Sequence, residues 1–325
     1  MNLKKAFFLL IIAASLCCFS CATQVKVIVE RPSEFDMNGA NSISVLPVQA
    51  KEPDTGKIGF LAFFTAVPKK KNMSSREMLA NYLTNSLTSK LISSSYYKVI
   101  DSSMVESALR SRKKVPVDVY ITGAISRLSS KVKKETVTNE DGTSTDYYKQ
   151  TAEISVVYKV IDAKTGEILG MHTADYSDTS AKEEKESSLP GTYKLLVSEM
   201  DSLARKIMRE IEPYQTTLYL TLLKDKTKDP LFAEADQYAK NGELQLSYEM
   251  FHSIYEQTDY FEAGYNAAIL LEALGRLEDA RDEMQVLLAR SGNKKKAYSA
   301  LKSINKEIFY AEKLKKQQEE KASKS

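Results

Sequence analysis

The stretch Val160-Ile161-Asp162-Ala163-Lys164-Thr165-Gly166-Glu167-Ile168-Leu169 reads as a strand, a tight turn and a second strand. Apolar and β-branched residues on both sides of the turn can pair across an antiparallel hairpin. Gly166 suits such a turn because glycine accepts backbone dihedrals that other residues avoid. The stretch therefore predicts two antiparallel strands, over residues 152–161 and 167–176.

Further strands and helices are predicted on both sides of this hairpin. Ser74 and Glu77 have the spacing of a capping box, which marks the start of a helix. Pro213 ends another helix, whose apolar stripe begins at Tyr193. The remaining predicted elements are strands at 43–48, 96–100 and 117–128, a short helix at 103–112, a charged hairpin arm at 131–149 that turns at 139–142, and a strand or linker at 216–223. The predicted fold class is an α+β sandwich, a mixed sheet with flanking helices.

The order of these elements resembles the periplasmic domain of the curli-secretion (CsgG-like) lipoprotein family, over roughly residues 25–215. The segments that carry the resemblance are Val45-Leu46-Pro47, the helix with Leu79, Leu83 and Leu87, residues 97–100 and 107–112, residues 121–125, and the hairpin at 160–169. Pore-forming members of that family insert hairpins into the membrane. The arm at 131–149 lacks the apolar band that facing lipid requires, so the resemblance implies only the soluble, tethered domain.

The start of the chain carries the pattern of a lipoprotein signal. Lys4 and Lys5 precede an apolar run from Ala6 to Leu16, and Ser20 stands before Cys21. This resembles a lipobox and predicts a signal peptide at 1–20 with lipid attachment at Cys21; an ordinary cleaved signal peptide is the alternative. Ala22 rather than Asp follows the cysteine, which by resemblance implies the outer membrane, with the protein facing the periplasm.

Two polar segments near the start are predicted to be irregular. Residues 21–40 are expected to form a lipid-anchored tether, which precedes a domain at 41–224. The loop at 50–72 contains an apolar cluster at 58–64, which either folds onto the domain or contacts the bilayer or a partner.

The C-terminal part resembles the tetratricopeptide repeat. Gly242 and Gly275 are 33 residues apart, as are Ser247 and Ala280, close to the nominal period of about 34. Helical repeats are therefore predicted at 228–312, followed by a disordered charged tail at 313–325. By alignment with the repeat family, the concave face would carry a peptide-contact surface formed by Phe232, Asp236, Tyr265, Asn266 and Ile269. The alternative is a stable spacer in which Phe232 and Ile269 are partly core.

The residues offer little for catalysis. The three cysteines fall within residues 17–21, and the only histidines are His172 and His252. A zinc site would need carboxylates to complete its ligands, so no metal, cofactor or catalytic residue is predicted. The formal net charge of +3 gives no case for nucleic acid.

The expected function is a membrane-anchored, non-catalytic scaffold or adaptor that binds protein partners or itself. One alternative is an accessory of a curli-like secretion or surface-assembly machine without its own pore. An envelope hydrolase is the other alternative.

Overall fold

The computed structural model describes residues 22–50, 73–290 and 294–324. Within these residues, none of the helices combines the length and apolar character needed to cross a membrane. The signal peptide, Cys21 and the apolar cluster at 58–64 lie outside the described residues, so what was expected of them remains a prediction.

The described chain forms seven strands and eight α-helices. The strands are β1 (Gln24–Arg31), β2 (Ser42–Val45), β3 (Lys98–Val99), β4 (Val119–Thr138), β5 (Ser144–Asp162), β6 (Ile168–Thr179) and β7 (Tyr214–Thr221). The helices are α1 (Ser75–Ser94), α2 (Ser102–Arg110), α3 (Thr192–Ile211), α4 (Pro230–Asn241), α5 (Leu244–Thr258), α6 (Phe261–Ala273), α7 (Leu277–Arg290) and α8 (Lys294–Lys324).

These elements belong to two compact units, and neither unit is continuous in sequence. The first unit contains residues up to Arg31 together with Gln215–Leu314. The second contains Pro32–Tyr214 together with Lys315–Ser325. The chain therefore passes between units three times, and the last ten described residues of α8 belong to the second unit.

The second unit is a mixed α/β fold built on a five-stranded sheet in the order β3-β2-β4-β5-β6. β2 runs parallel to β3 and β4, whereas β4–β5 and β5–β6 are antiparallel. Gly166 has φ +75° in the turn between β5 and β6, which confirms the hairpin predicted from the sequence. Helices α1 and α3 pack together over one face of the sheet, where alternate β5 residues such as Val156 and Tyr158 are buried. The capping box of α1 is present: Ser74 accepts from the Glu77 N–H, and the Glu77 carboxylate accepts from the Ser74 N–H.

The outer part of the β4–β5 hairpin is a two-stranded arm without a core. The ladder continues from Lys131 opposite Thr151 to Thr138 opposite Ser144. The structure describes every residue from 130 to 149, and none of them is buried. Asn139 N–H donates to Thr143 O at 2.7 Å, and Gly142 has φ +82°. The predicted arm and its turn are therefore confirmed.

The first unit packs the β1–β7 ribbon against helices. Val25 and Leu220 are buried in the same core as the helices α4 to α7 and the start of α8. The prediction of a tether is thus wrong for residues 24–31, because the alternation of Val25, Val27 and Val29 gives β1 an apolar face. The segment 216–223 is a strand over most of its length.

Helices α4 to α7 form two consecutive helical pairs. Gly242 follows α4 with φ +84°, and Gly275 lies just after α6 with φ +77°, so both glycines end a helix as predicted. Ser247 and Ala280 are fully buried, and the Ser247 hydroxyl donates to Ala235 O at 2.7 Å. Small residues therefore lie where these helices touch.

The expected disordered tail at 313–325 is wrong, since α8 continues to Lys324. Within the second unit, Gln317 is buried and the Lys321 ammonium lies 3.4 Å from the centroid of the Tyr96 ring. The same ammonium donates to Tyr96 O at 2.6 Å. A charged composition is typical of a solvated tail, but here cation–π and backbone contacts hold the charged residues in place.

Candidate functional site

The carboxamide of Asn266 binds both backbone groups of Leu223. Asn266 Oδ1 accepts from Leu223 N at 2.6 Å, and Asn266 Nδ2 donates to Leu223 O at 2.9 Å. Asn266 lies in α6, whereas Leu223 follows β7 in an extended stretch of the same unit. Asn266 was expected to bind the backbone of a partner peptide through two hydrogen bonds. It forms such a pair of bonds, but with the backbone of Leu223 in the same chain.

Neighbouring side chains hold the same segment. The Tyr260 hydroxyl accepts from Lys226 N at 2.7 Å and donates to Asp225 Oδ1 at 3.1 Å. The Lys226 ammonium forms an ion pair with Glu262, which is buried at the start of α6. We call residues 222–226 the groove segment, since they include Leu223, which occupies the carboxamide of Asn266 that was predicted to bind a peptide.

The structure changes the interpretation of the five residues that were predicted to contact a peptide. Asn266 was expected to face solvent, but it is fully buried. Phe232 and Ile269 are 2 % and 4 % exposed, and the Phe232 ring packs edge-on against Phe251 with centroids 4.8 Å apart. Asp236 pairs with Lys240 at 2.7 Å on its own helix. Tyr265 is half-buried, and burial raises the pKa of its hydroxyl. The structure therefore places Phe232 and Ile269 in the core, as in the spacer alternative.

Sequence reasoning missed Leu223, Tyr260 and Glu262 as parts of this arrangement. The one available signal was the apolar alternation of Leu218, Leu220 and Leu222, which indicates a chain segment with a buried side. A repeat pattern aligns helices with one another and carries no information about a strand that lies against them.

A buried acidic group lies elsewhere in the first unit. Glu272 is 4 % exposed, and its two carboxylate oxygens have no hydrogen-bond partner among the described residues. Burial, followed by the charge of Glu307, raises the pKa of Glu272 to about 7. Glu307 itself forms a bidentate ion pair with Arg31, at 2.5 and 2.8 Å. Glu272 is therefore a group whose charge changes near neutral pH.

Three side chains of metal-ligand type converge in the second unit. Ligand atoms of Glu34, His172 and Glu210 lie within 4.8 Å of one another. No sequence pattern indicated a metal site, because His172 stands alone and a site would need carboxylates. The fold supplies two carboxylates from positions remote in the chain.

No family model matches the chain, and no curated protein matches it. Solved structures with partial similarity include the PelC dodecamer from Paraburkholderia phytofirmans, with 13 % identity and a TM-score of 0.28 over 57 % of this chain and 97 % of that chain. A minor lipoprotein from Acinetobacter baumannii has 10 % identity and a TM-score of 0.27, covering 53 % of this chain and 91 % of that chain. Lipoprotein GNA1162 from Neisseria meningitidis has 15 % identity and a TM-score of 0.23, over 51 % of this chain and 97 % of that chain.

Two of these three proteins are lipoproteins by name. With TM-scores below 0.5, these similarities carry no argument about this chain. Neither the CsgG-like resemblance nor the tetratricopeptide resemblance is confirmed by the comparisons.

Proposed function

We propose that this protein is a lipid-anchored, non-catalytic scaffold of the bacterial cell envelope. Anchoring rests on the sequence, where basic residues, an apolar run and Ser20 precede Cys21. Ala22 after the cysteine favours the outer membrane, with the two folded units in the periplasm.

The observation that carries the scaffold role is the β4–β5 arm. Its ladder is continuous although no residue between 130 and 149 is buried. Strands are normally stabilised by an apolar face, and this arm instead relies on backbone hydrogen bonds and polar pairs such as Lys134–Asp146 at 2.7 Å. A structured arm with two accessible faces is suited to binding another protein.

One face of the arm is basic. Every second residue of β4 points to the same face, and on this face lie Lys131, Lys133 and Glu135. On the neighbouring strand, Lys149 lies directly opposite Lys133. Lys182 pairs with Glu135 at 2.9 Å and neutralises the negative charge on this face. Like charges directly opposite each other destabilise a sheet, and an acidic partner surface would relieve that repulsion. We therefore assign the scaffold's partner as a protein with an acidic patch.

The contacts of the groove segment favour a spacer role for the two helical pairs over a peptide-binding role. Asn266, the residue best suited to bind an extended peptide, is already engaged by Leu223. A partner peptide would have to displace a segment of the same unit, so the helical pairs serve as a spacer and the arm makes the contact.

Site-specific photo-crosslinking in intact cells tests this assignment. A crosslinking residue at Val137, which is 37 % exposed and lies on the same face of β4 as Lys133, should yield a defined adduct. The matched position is Ile92 on α1, which is 60 % exposed and should yield none. Lys133→Glu should abolish the arm adduct. The same adducts at Ile92, or an arm adduct insensitive to Lys133→Glu, would contradict the proposal.

A further inference from the structure

Glu34, His172 and Glu210 are brought together by three separate parts of the second unit. His172 lies on β6 and Glu210 near the end of α3, while Glu34 precedes β2. Phe35 N–H donates to the backbone carbonyl of Glu210 at 2.8 Å, which fixes the segment that carries Glu34.

The ring of Phe35 sets the spacing between that segment and β6. The ring lies against Gly170, where an added Cβ would collide with it. It also packs edge-on to the His172 imidazole, with centroids 5.1 Å apart. Glu34 and His172 are therefore held side by side by the packing of their neighbours.

Glu210 is a buried carboxylate with defined donors. It is 2 % exposed, and its Oε2 atom accepts from the Tyr158 hydroxyl at 2.5 Å. Burial and this hydrogen bond raise the pKa of Tyr158, so the phenol keeps the proton that it donates. Oε1 lies 3.0 Å from His172 Nδ1 and 3.6 Å from the Lys206 ammonium. The carboxylate of Glu210 is thus held between the Tyr158 hydroxyl, the His172 ring and the Lys206 ammonium.

The tautomer of His172 follows from this arrangement. A carboxylate oxygen is a hydrogen-bond acceptor, so the contact of 3.0 Å with Glu210 Oε1 favours the tautomer in which Nδ1 carries the ring proton. In the neutral ring, Nε2 then presents its lone pair. That atom is 3.7 Å from Glu34 Oε1, which is too long for a hydrogen bond.

We propose that His172 Nε2 and the Glu34 carboxylate bind one divalent transition-metal ion of the zinc class, with Glu210 as the positioning residue that orients the imidazole. Zinc binds imidazole nitrogen and carboxylate oxygen at about 2.0–2.2 Å, so a separation of 3.7 Å corresponds to an angle of about 120° at the ion. A carboxylate that accepts from the other ring nitrogen is the usual support of a metal-bound histidine. The Glu34 side chain is 60 % exposed and that of His172 34 %, so water completes the coordination.

Metal titration of the full chain tests this proposal. Cys17, Cys18 and Cys21 are replaced by Ser to remove thiol ligands, and Zn²⁺ is titrated by calorimetry at neutral pH, with Co²⁺ absorption as a second probe. One equivalent should bind. Glu210→Gln should weaken binding about 10–100-fold, and His172→Ala should abolish it.

The chain offers a matched control, because its only other histidine also lies beside a carboxylate. His252 Nδ1 is 3.3 Å from Glu283 Oε1, and His252→Ala should leave zinc affinity unchanged. Glu34→Gln alters a side chain that is 60 % exposed, and it should weaken zinc binding at least tenfold. Wild-type affinity in either His172→Ala or Glu34→Gln would overturn the proposal. If the parent chain bound no zinc, the proposal would also be overturned. The cluster would then be an ion pair of His172 with the Glu34 and Glu210 carboxylates.

Discussion

Gln317, close to the end of the chain, binds both backbone groups of Ser33, close to its beginning. Gln317 Oε1 accepts from Ser33 N at 3.1 Å, and Gln317 Nε2 donates to Ser33 O at 3.2 Å. Both residues are buried within the second unit, and Ser33 directly precedes Glu34. The last ten described residues of α8 are thus a structural part of the unit that carries the His172 cluster.

Replacing Gln317 with Ala should lower the free energy of unfolding by about 1–3 kcal/mol, because two buried backbone groups lose their partners. Denaturant unfolding of the full chain measures the change. The neighbouring residue Gln318 is exposed, so Gln318→Ala should stay within about 0.5 kcal/mol of the parent. Equal effects of the two substitutions would show that the paired hydrogen bonds contribute nothing specific.

Replacing Asn266 with Ala should also destabilise the protein, by about 2–4 kcal/mol, since the Leu223 N–H and C=O would be left without their present partners. The matched control is Asn305→Ala on α8, where the side chain is exposed and alanine is the better helix former. Cleavage by a protease within the groove segment should accelerate in the Asn266 variant. An Asn266 variant as stable as the Asn305 variant would contradict the role assigned to this residue.

Glu272 should make the stability depend on pH. Its pKa rises from the ordinary glutamate value of 4.5 to about 7 in the folded chain, chiefly because of burial. The stability that protonated Glu272 contributes is therefore fully present below about pH 4.5 and is lost as the pH rises through about 7. The loss of unfolding free energy between these limits is about 3 kcal/mol.

Glu272→Gln should remove this part of the pH dependence and leave the protein more stable than the parent at pH 8. Denaturant unfolding of both chains across this pH range gives the difference directly. Glu312→Gln, at an exposed position on α8, should retain the parent's profile. Parallel profiles for the Glu272 variant and the parent would rule out Glu272 as the titrating group.

Cys21→Ala should release the protein from the membrane fraction, because it removes the thiol that the lipid would modify. Cys17→Ala and Cys18→Ala are the matched controls and should stay in the detergent phase. Mass spectrometry of the mature N-terminus identifies the modified residue. An unmodified N-terminus at another position, or membrane retention of the Cys21 variant, would contradict lipid attachment at this residue.

Local patterns predicted those parts of the fold that depend on near neighbours. The residues of the Ser74–Glu77 capping box are only three positions apart, and the Gly166 turn is similarly local. Both form at the predicted positions. The strand β1 was missed because its partner β7 follows nearly 190 residues later. No local signal distinguishes such a strand from an extended tether.

The sites were less accessible to sequence reasoning. Asn266 was correctly singled out as a side chain able to bind an extended backbone, but nothing in a repeat pattern indicated that Leu223 would occupy it. Glu34, His172 and Glu210 share no motif spacing, and only the packing of Phe35 against Gly170 and His172 brings them together. The charged composition of residues 313–325 led to the wrong prediction of a disordered tail. The partner of Lys321, Tyr96, lies more than 200 residues earlier in the chain, so no local pattern indicated the contact.

The position of Gln317 makes the second unit depend on a residue that lies 284 positions after Ser33. Folding during synthesis proceeds from the N-terminus, yet Ser33 and the Tyr96 ring acquire these partners only after α8 has been made. A chain cut before Gln317 would leave the backbone N–H and C=O of Ser33 without these partners. The second unit therefore cannot complete its packing until residues 315–324 are present.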